Sequence, residues 1–144
     1  MYKRIAIAYN ESPEAGRAFA SAIQLARALG AELHAVTIMQ ELPSYTAFAT
    51  AADPSLARTL TEDRRAFYEQ MQANAREIAL REGVDLVTEL VEGGEVDCII
   101  QFLQSYKADL LVIGLHRRES QISRLWSMVY EVAQDAPCSV LGVH

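Results

Sequence analysis

The one concentrated basic spot in this 144-residue chain, and its first candidate for chemistry, is His116-Arg117-Arg118. It lies just past the run Ala108-Asp109-Leu110-Leu111-Val112-Ile113-Gly114. Two guanidiniums and an imidazole suit the oxygens of a phosphate group. The competing reading is an exposed loop whose charges pair locally, Glu119 included. Signatures of other chemistry are missing from the sequence. There is no G-x-S-x-G elbow, no H-E-x-x-H and no Walker A loop, and no G-x-G-x-x-G follows the first strand. His34, His116 and His144 are too dispersed for a metal cluster. His34 sits in an apolar strand and reads as structural; His144 reads as solvated. A phospho-receiver would need acids after its first strand and an aspartate ending its third, where this chain has Glu11 alone and Leu90-Val91. His116 has no orienting partner visible in the sequence, so the chain reads as a non-enzyme, with slow nucleotide hydrolysis ranked last. Cys98 and Cys138 are far apart and read as reduced core thiols.

These residues need a scaffold, and the apolar patterning supplies one. Leu110 to Ile113 is an uninterrupted apolar run, as expected of a strand buried on both faces of a parallel sheet. Gly114 then delivers the chain to the carboxyl edge of that sheet, where open α/β folds bind ligands. Ile5 to Tyr9 predicts a first strand, and Leu33 to Met39 a second. Between them, Ser12 caps a helix with Pro13 in its first turn, Ala15, Ala18, Phe19, Ala22, Ile23, Ala26 and Leu29 recur at helical spacing, and Gly30 ends it. Gln40 to Leu56 contains Pro43, Pro54 and many small residues, and reads as an irregular loop. A long helix is predicted from Leu56 to Glu82, with Phe67, Met71, Ala75, Ile78 and Ala79 as its inner stripe. Arg58, Arg64, Arg65, Glu69, Arg76 and Glu77 form its solvated face. A third strand (Leu86 to Val91), a helix (Val96 to Tyr106), the organising strand, a last helix (through Ile122, Leu125, Val129, Val132 and Ala133) and a fifth strand (Ser139 to Val143) complete the chain. Five alternations of strand and helix predict a parallel α/β sandwich in a single domain over residues 1–144.

Composition narrows the partners. Hydrophobic residues make up 51% of the chain and the net charge is -6, which favours a folded domain and argues against nucleic acid or an anionic membrane as a partner. No apolar run is long enough to span a bilayer, and the N-terminus leads straight into a strand, so a cytoplasmic location is expected.

Taken together, Tyr2-Lys3-Arg4-Ile5, Ala8-Tyr9-Asn10-Glu11-Ser12, Leu29-Gly30-Ala31-Glu32-Leu33-His34, Glu92-Gly93, Ala108 to Gly114 and Ala136-Pro137-Cys138-Ser139-Val140-Leu141 resemble the universal stress proteins. The resemblance runs the length of the chain. It implies a three-layer sandwich of the adenine nucleotide alpha hydrolase-like type, with a five-stranded parallel sheet in the order 3-2-1-4-5. It also implies a cytoplasmic stress-response protein, a homodimer pairing through the last strand, and protein partners. Val140, Leu141 and Val143 are the corresponding interface residues; an apolar edge strand needs cover in any case.

Some members of that family bind ATP through G-x-x-G, about nine residues, then G-S or G-T. Gly114 matches the first glycine, Arg117 replaces the second, and the final pair falls on Trp126-Ser127, one residue short. Glycines let backbone N–H groups approach phosphate without a Cβ in the way. Asn10 stands where ATP binders place aspartate, and Ala8 and Ile38 fall where the family lines its adenine pocket. The main expectation is therefore a regulatory homodimer with weak or no ATP binding. The alternative is an ATP or AMP site, with Mg²⁺, in which Arg117 or Arg118 replaces the lost glycine cradle and Ala8, Asn10, Ile38, Gly114 and Ser127 complete the lining.

Overall fold

Five strands, β1 (Arg4–Ala8), β2 (Glu32–Met39), β3 (Leu86–Glu92), β4 (Leu110–Gly114) and β5 (Ser139–Val143), form one parallel sheet in the order β3-β2-β1-β4-β5. The computed structural model describes residues 1–42, 44–116 and 127–144. The apolar runs read from the sequence are its centre. Ile5, Ala6 and Ile7 of β1, and Leu110 to Ile113 of β4, are all buried. Ile5 registers with Leu33 on one side and Leu110 on the other. Alternate side chains point to opposite faces of a strand, so each central strand feeds two cores.

On one face Ile5, Ile7, Leu33 and Val112 meet Phe19, Ala22 and Ile23 of α1 (Pro13–Leu29) and Ala75 and Ala79 of α3 (Pro54–Arg81). On the other, Ala6, Val36 and Leu111 meet Ile99, Phe102 and Leu103 of α4 (Glu95–Tyr106) and Val132 of α5 (Met128–Asp135). Each large aliphatic side chain buried in this way contributes roughly 1.5–3 kcal/mol. Helix α1 starts and ends as its sequence predicts. Ser12 Oγ accepts from Ala15 N at 3.2 Å, Pro13 occupies the first turn, and Gly30 closes the helix in the left-handed region at φ 62°.

Three expectations need correction. The stretch from Gln40 to Leu56 is not an irregular loop among its described residues: it holds a 3₁₀ turn at Ser44–Thr46 and helix α2 (Ala47–Ala52), and α3 already begins at Pro54. Asp53 caps α3 by accepting from Ser55 N at 3.1 Å, and Pro54 follows it as Pro13 follows Ser12. The inner stripe of α3 also differs. Its buried residues are Gln72, Ala75 and Ala79, whereas Phe67 is 55% exposed and Ile78 45% exposed. The helix crosses the sheet on its small residues, which let its backbone lie close to β2 and β3. Finally, part of the presumed solvated face is an anchor. Arg64 donates to Gln40 O, Arg65 pairs with Glu92, and Arg76 bonds Thr88. In α5 only Val132 is fully buried; Ala133 faces out, and Ile122 and Leu125 lie outside the described residues.

The start of β4 is fastened to β1 by a side chain. Asp109 Oδ2 accepts from Lys3 N at 2.8 Å and Oδ1 from Arg4 N at 3.1 Å, while Asp109 N donates to Arg4 O at 3.0 Å. Asp109 thus extends the central ladder beyond the paired residues. Asp109→Ala removes two hydrogen bonds to an ionised acceptor at a solvent-accessible edge, and should lower stability by about 1–2 kcal/mol. Urea unfolding checks this: the midpoint falls with the slope unchanged.

His34 on β2 lies edge-on to Tyr106, with ring centroids at 4.5 Å, and to Phe102 at 5.3 Å. Burial pulls its imidazole below the ordinary histidine pKa, against the opposing pull of Glu89 and Glu32. The fold therefore favours neutral His34, and below about pH 6.5 the unfolded chain binds the extra proton more readily. Stability should be fully present above that pH and fall as acidity increases through the window beneath it. Unfolding at pH 7.5 and pH 5.5 should show the loss in the native chain and a smaller one in His34→Gln.

Candidate functional site

The order β3-β2-β1-β4-β5 makes β1 the switch point of the sheet, with α1 leaving toward one face and the connection into β4 returning on the other. A crevice opens there, outside the carboxyl ends of the strands, as such topology requires. Ala8 and Ile38 end their strands in it, Asn10 follows β1, and Gly114 ends β4. Four of the residues singled out from sequence are therefore brought together. His116 and Met128 line the same space, whose volume is about 50 Å³. Ligand pockets more often span roughly 300–1,000 Å³. Arg117, Arg118 and Trp126 lie outside the described residues. Ser127 is not among the described lining; its Oγ accepts from Tyr130 N at 3.2 Å and caps α5.

Each residue here has local partners. Asn10 Oδ1 accepts from Ser12 N at 2.9 Å, so its carbonyl oxygen builds the turn into α1. Thr37 is buried, and its hydroxyl donates to Tyr9 O at 2.8 Å, tying β2 to the end of β1. Gly114 has a packing reason to be glycine. A Cβ at this position would stand 2.5 Å from the backbone carbon and oxygen of Glu14.

Two carboxylates that the sequence reading passed over also bear on the crevice: Glu95 lines it, and Glu14 engages His116. Glu14 lies in the first turn of α1, and its Oε1 is 3.3 Å from His116 Nδ1. The hydrogen bond from its own backbone N–H holds the Glu14 carboxyl below the usual range; Ser12 and His116 add to this, against the effect of partial burial. His116 therefore does have an orienting carboxylate, contrary to expectation. The pairing joins two ends of the chain and has no local signature. Glu95 lies in the first turn of α4 and accepts from Gln40 Nε2 at 2.9 Å. Both acids follow a rule that could have found them: carboxylates favour helix N-termini, and the helices after parallel strands begin at the carboxyl edge.

Among the described residues, no group of three or more His, Cys, Asp and Glu side chains could hold a metal ion. Among the described residues, no helix is long and apolar enough to cross a membrane. β5 is an edge strand, as expected. Leu141 is 39% exposed, while Val140 and Val143 each pack partly into a core, one on either face of the sheet.

The fold and the chain both have known counterparts. The structure superimposes on universal stress protein UspA from Lactobacillus plantarum with a TM-score of 0.83 at 23% identity, over 99% of this chain and 98% of that one. A universal stress protein solved in complex with cAMP gives a TM-score of 0.77 at 25% identity, over 99% of this chain and 97% of its own. In sequence, a universal stress protein of Thermus aquaticus is 33% identical over 147 residues, covering 99% of each chain. The universal stress protein family model matches residues 1–144. With the parallel sheet in its 3-2-1-4-5 order and the crevice at its switch point, these matches establish that the chain belongs to the universal stress protein family.

Proposed function

We propose that this protein is a regulatory member of its family, acting as a homodimer in the cytoplasm through protein partners, with weak or no ATP binding. One observation carries the reading of the site. The described lining of the crevice brings one carboxylate, Glu95, and a single imidazole, His116, which a second carboxylate, Glu14, already engages. A triphosphate entering here meets like charge at the helix N-terminus that would otherwise attract it. The dimer part is supported by β5, an edge strand with an exposed apolar Leu141. Isologous pairing of such an edge covers it and closes the assembly.

A second reading has its own support. Ala8, Val36 and Ile38 give the crevice an apolar side suited to a base, and the relative at 25% identity binds cAMP. An adenine nucleotide with one phosphate brings less charge past Glu14 than ATP does. In this reading Asn10 meets the ribose or base, and Arg117 or Arg118 meets the phosphate. Neither reading assigns turnover, and Mg²⁺ belongs only to the ATP form of the second.

Calorimetric titration separates the two. The native chain should give no saturable heat with ATP and Mg²⁺ up to millimolar ligand. Glu14→Gln should tighten binding of AMP roughly three- to tenfold at low salt by removing like charge, an effect that shrinks as salt rises. Tight, stoichiometric ATP binding by the native chain would overturn the main reading in favour of the second. For the assembly, sedimentation at micromolar concentration should show a dimer, and Leu141→Lys should shift it toward monomer. A native monomer would rule the dimer out.

A further inference from the structure

Spaces larger than the crevice open at the amino edge of the sheet, along β3, and between α1 and α3, with volumes of about 660, 500 and 430 Å³. The last of these has features that the fold does not explain. It follows from the length of α3. This helix fully buries Gln72, Ala75 and Ala79 and no residue before them, so its first half covers little of the sheet. A cleft is left between that half and the start of α1, within the usual size range of small-molecule sites.

Gly16 forms part of the α1 wall. A glycine inside a helix weakens it relative to alanine, and here neither backbone nor packing requires one. Its φ is not positive, and a Cβ built on it would meet nothing within 4 Å. Gly30 is needed for its left-handed φ and Gly114 for the approach of Glu14; Gly16 has neither reason. What glycine does at this position is leave the wall of the cleft bare.

The α3 wall carries the chemistry. Phe67, Gln70, Met71 and Asn74 are spaced i, i+3, i+4 and i+7, so they share one face of the helix and line the cleft together. Phe67 is 55% exposed, and its ring contact with Tyr68, at 5.3 Å and 74°, is T-shaped and not stacked. Gln70 Nε2 donates to Asn74 Oδ1 at 3.0 Å. That bond orients both amides. It leaves the Gln70 carbonyl oxygen as an acceptor and the Asn74 N–H₂ as a donor, neither with another partner among the described residues. An amide acceptor and donor side by side match the amino group and ring nitrogen along one edge of adenine, and an open aromatic ring suits the face of a base. No Lys, Arg or His lines the cleft among the described residues, and Glu11 does, so a phosphate gains nothing here.

We propose that the cleft between α1 and α3 binds the uncharged base of a nucleoside, an adenine-like ring held by Gln70 and Asn74, stacked on Phe67 and admitted by the bare backbone at Gly16. The cleft shares Tyr9, Asn10 and Ser12 with the crevice, but Gly16, Phe67, Gln70 and Asn74 line the cleft alone. The proposal stands whichever reading of the crevice holds.

The test is an NMR titration of the full chain with adenosine, with purine riboside as the same ring lacking the amino group, and with AMP. Adenosine should shift the Phe67 ring signals and the Gln70 and Asn74 amide signals in a saturable way. Purine riboside should bind about fivefold more weakly, and AMP no more tightly than adenosine. Gly16→Ala should raise the melting temperature by roughly 1–4 °C, while Gly16→Leu should fill the cleft and abolish the shifts. Phe67→Ala and Asn74→Leu should each weaken adenosine binding about fivefold or more, with the melting temperature little changed. No saturable shift at these residues, full binding by Gly16→Leu, or a loss of stability in Gly16→Ala would each overturn the proposal. So would AMP binding more tightly than adenosine with shifts at His116 and none at Phe67, a result that puts the ligand in the crevice and supports the second reading of it instead.

Discussion

The close approach of the first turn of α1 to the end of β4 sets the geometry of the carboxyl edge. At Gly114 there is no room for a side chain: the backbone of Glu14 occupies the place where a Cβ would stand, at 2.5 Å. That contact lets α1 lie flat on the central strands, so that Phe19, Ala22 and Ile23 reach Ile5, Ile7 and Val112. It also decides what faces the crevice. With α1 seated there, Ser12 and Asn10 fold the connection into a capped turn, and Glu14 is carried to within 3.3 Å of His116. Core packing and site chemistry therefore share one constraint.

How much of this could be read from sequence depended on how local the cause was. β1 and β4 were legible because strands buried on both faces must be apolar at every position, and Ile5 to Ile7 and Leu110 to Ile113 are. The start of α1 was legible from Ser12-Pro13. The same logic applies to Asp53-Pro54, but the residues before that proline show no apolar period, so the stretch reads as a loop. They show none because α2 buries no side chain. In α3 the error had another source. Phe67 and Ile78 are more apolar than Ala75 and Ala79, yet small residues are what a helix needs when it lies close to a sheet. At the site, Ala8, Asn10, Ile38 and Gly114 could be placed together because strand ends converge in a parallel sheet. The Glu14–His116 pair could not, since nothing local links one end of α1 to the residues after β4.

A parallel sheet also creates a conflict at its carboxyl edge. Every helix that follows a strand begins there, and each helix start is stabilised by carboxylates in its first turn. Here Glu14 serves α1, and Glu95 and Asp97 serve α4. Of these, Glu95 lines the crevice and Glu14 engages its His116, so acids that stabilise the helices stand where an anionic ligand would bind. An ATP site resolves the conflict by leaving helix N–H groups and glycine backbone free for phosphate. In this chain the carboxylates hold part of that ground instead, and larger spaces open beside Asn10 and Ser12 against α3, along β3 and at the amino edge.

The glycines of the ATP motif can be weighed in the same terms. A glycine can remain at a position because a ligand needs the backbone bare or because the fold does. Gly114 has the second reason on its own: Glu14 packs on it whether or not a phosphate is near. Its presence therefore carries no weight as a sign of nucleotide binding. The other two motif positions hold Arg117 and Trp126, side chains that a backbone phosphate cradle does not accommodate. What survives of the motif is the part that the fold requires by itself, and this favours the regulatory reading over one built on an intact triphosphate site.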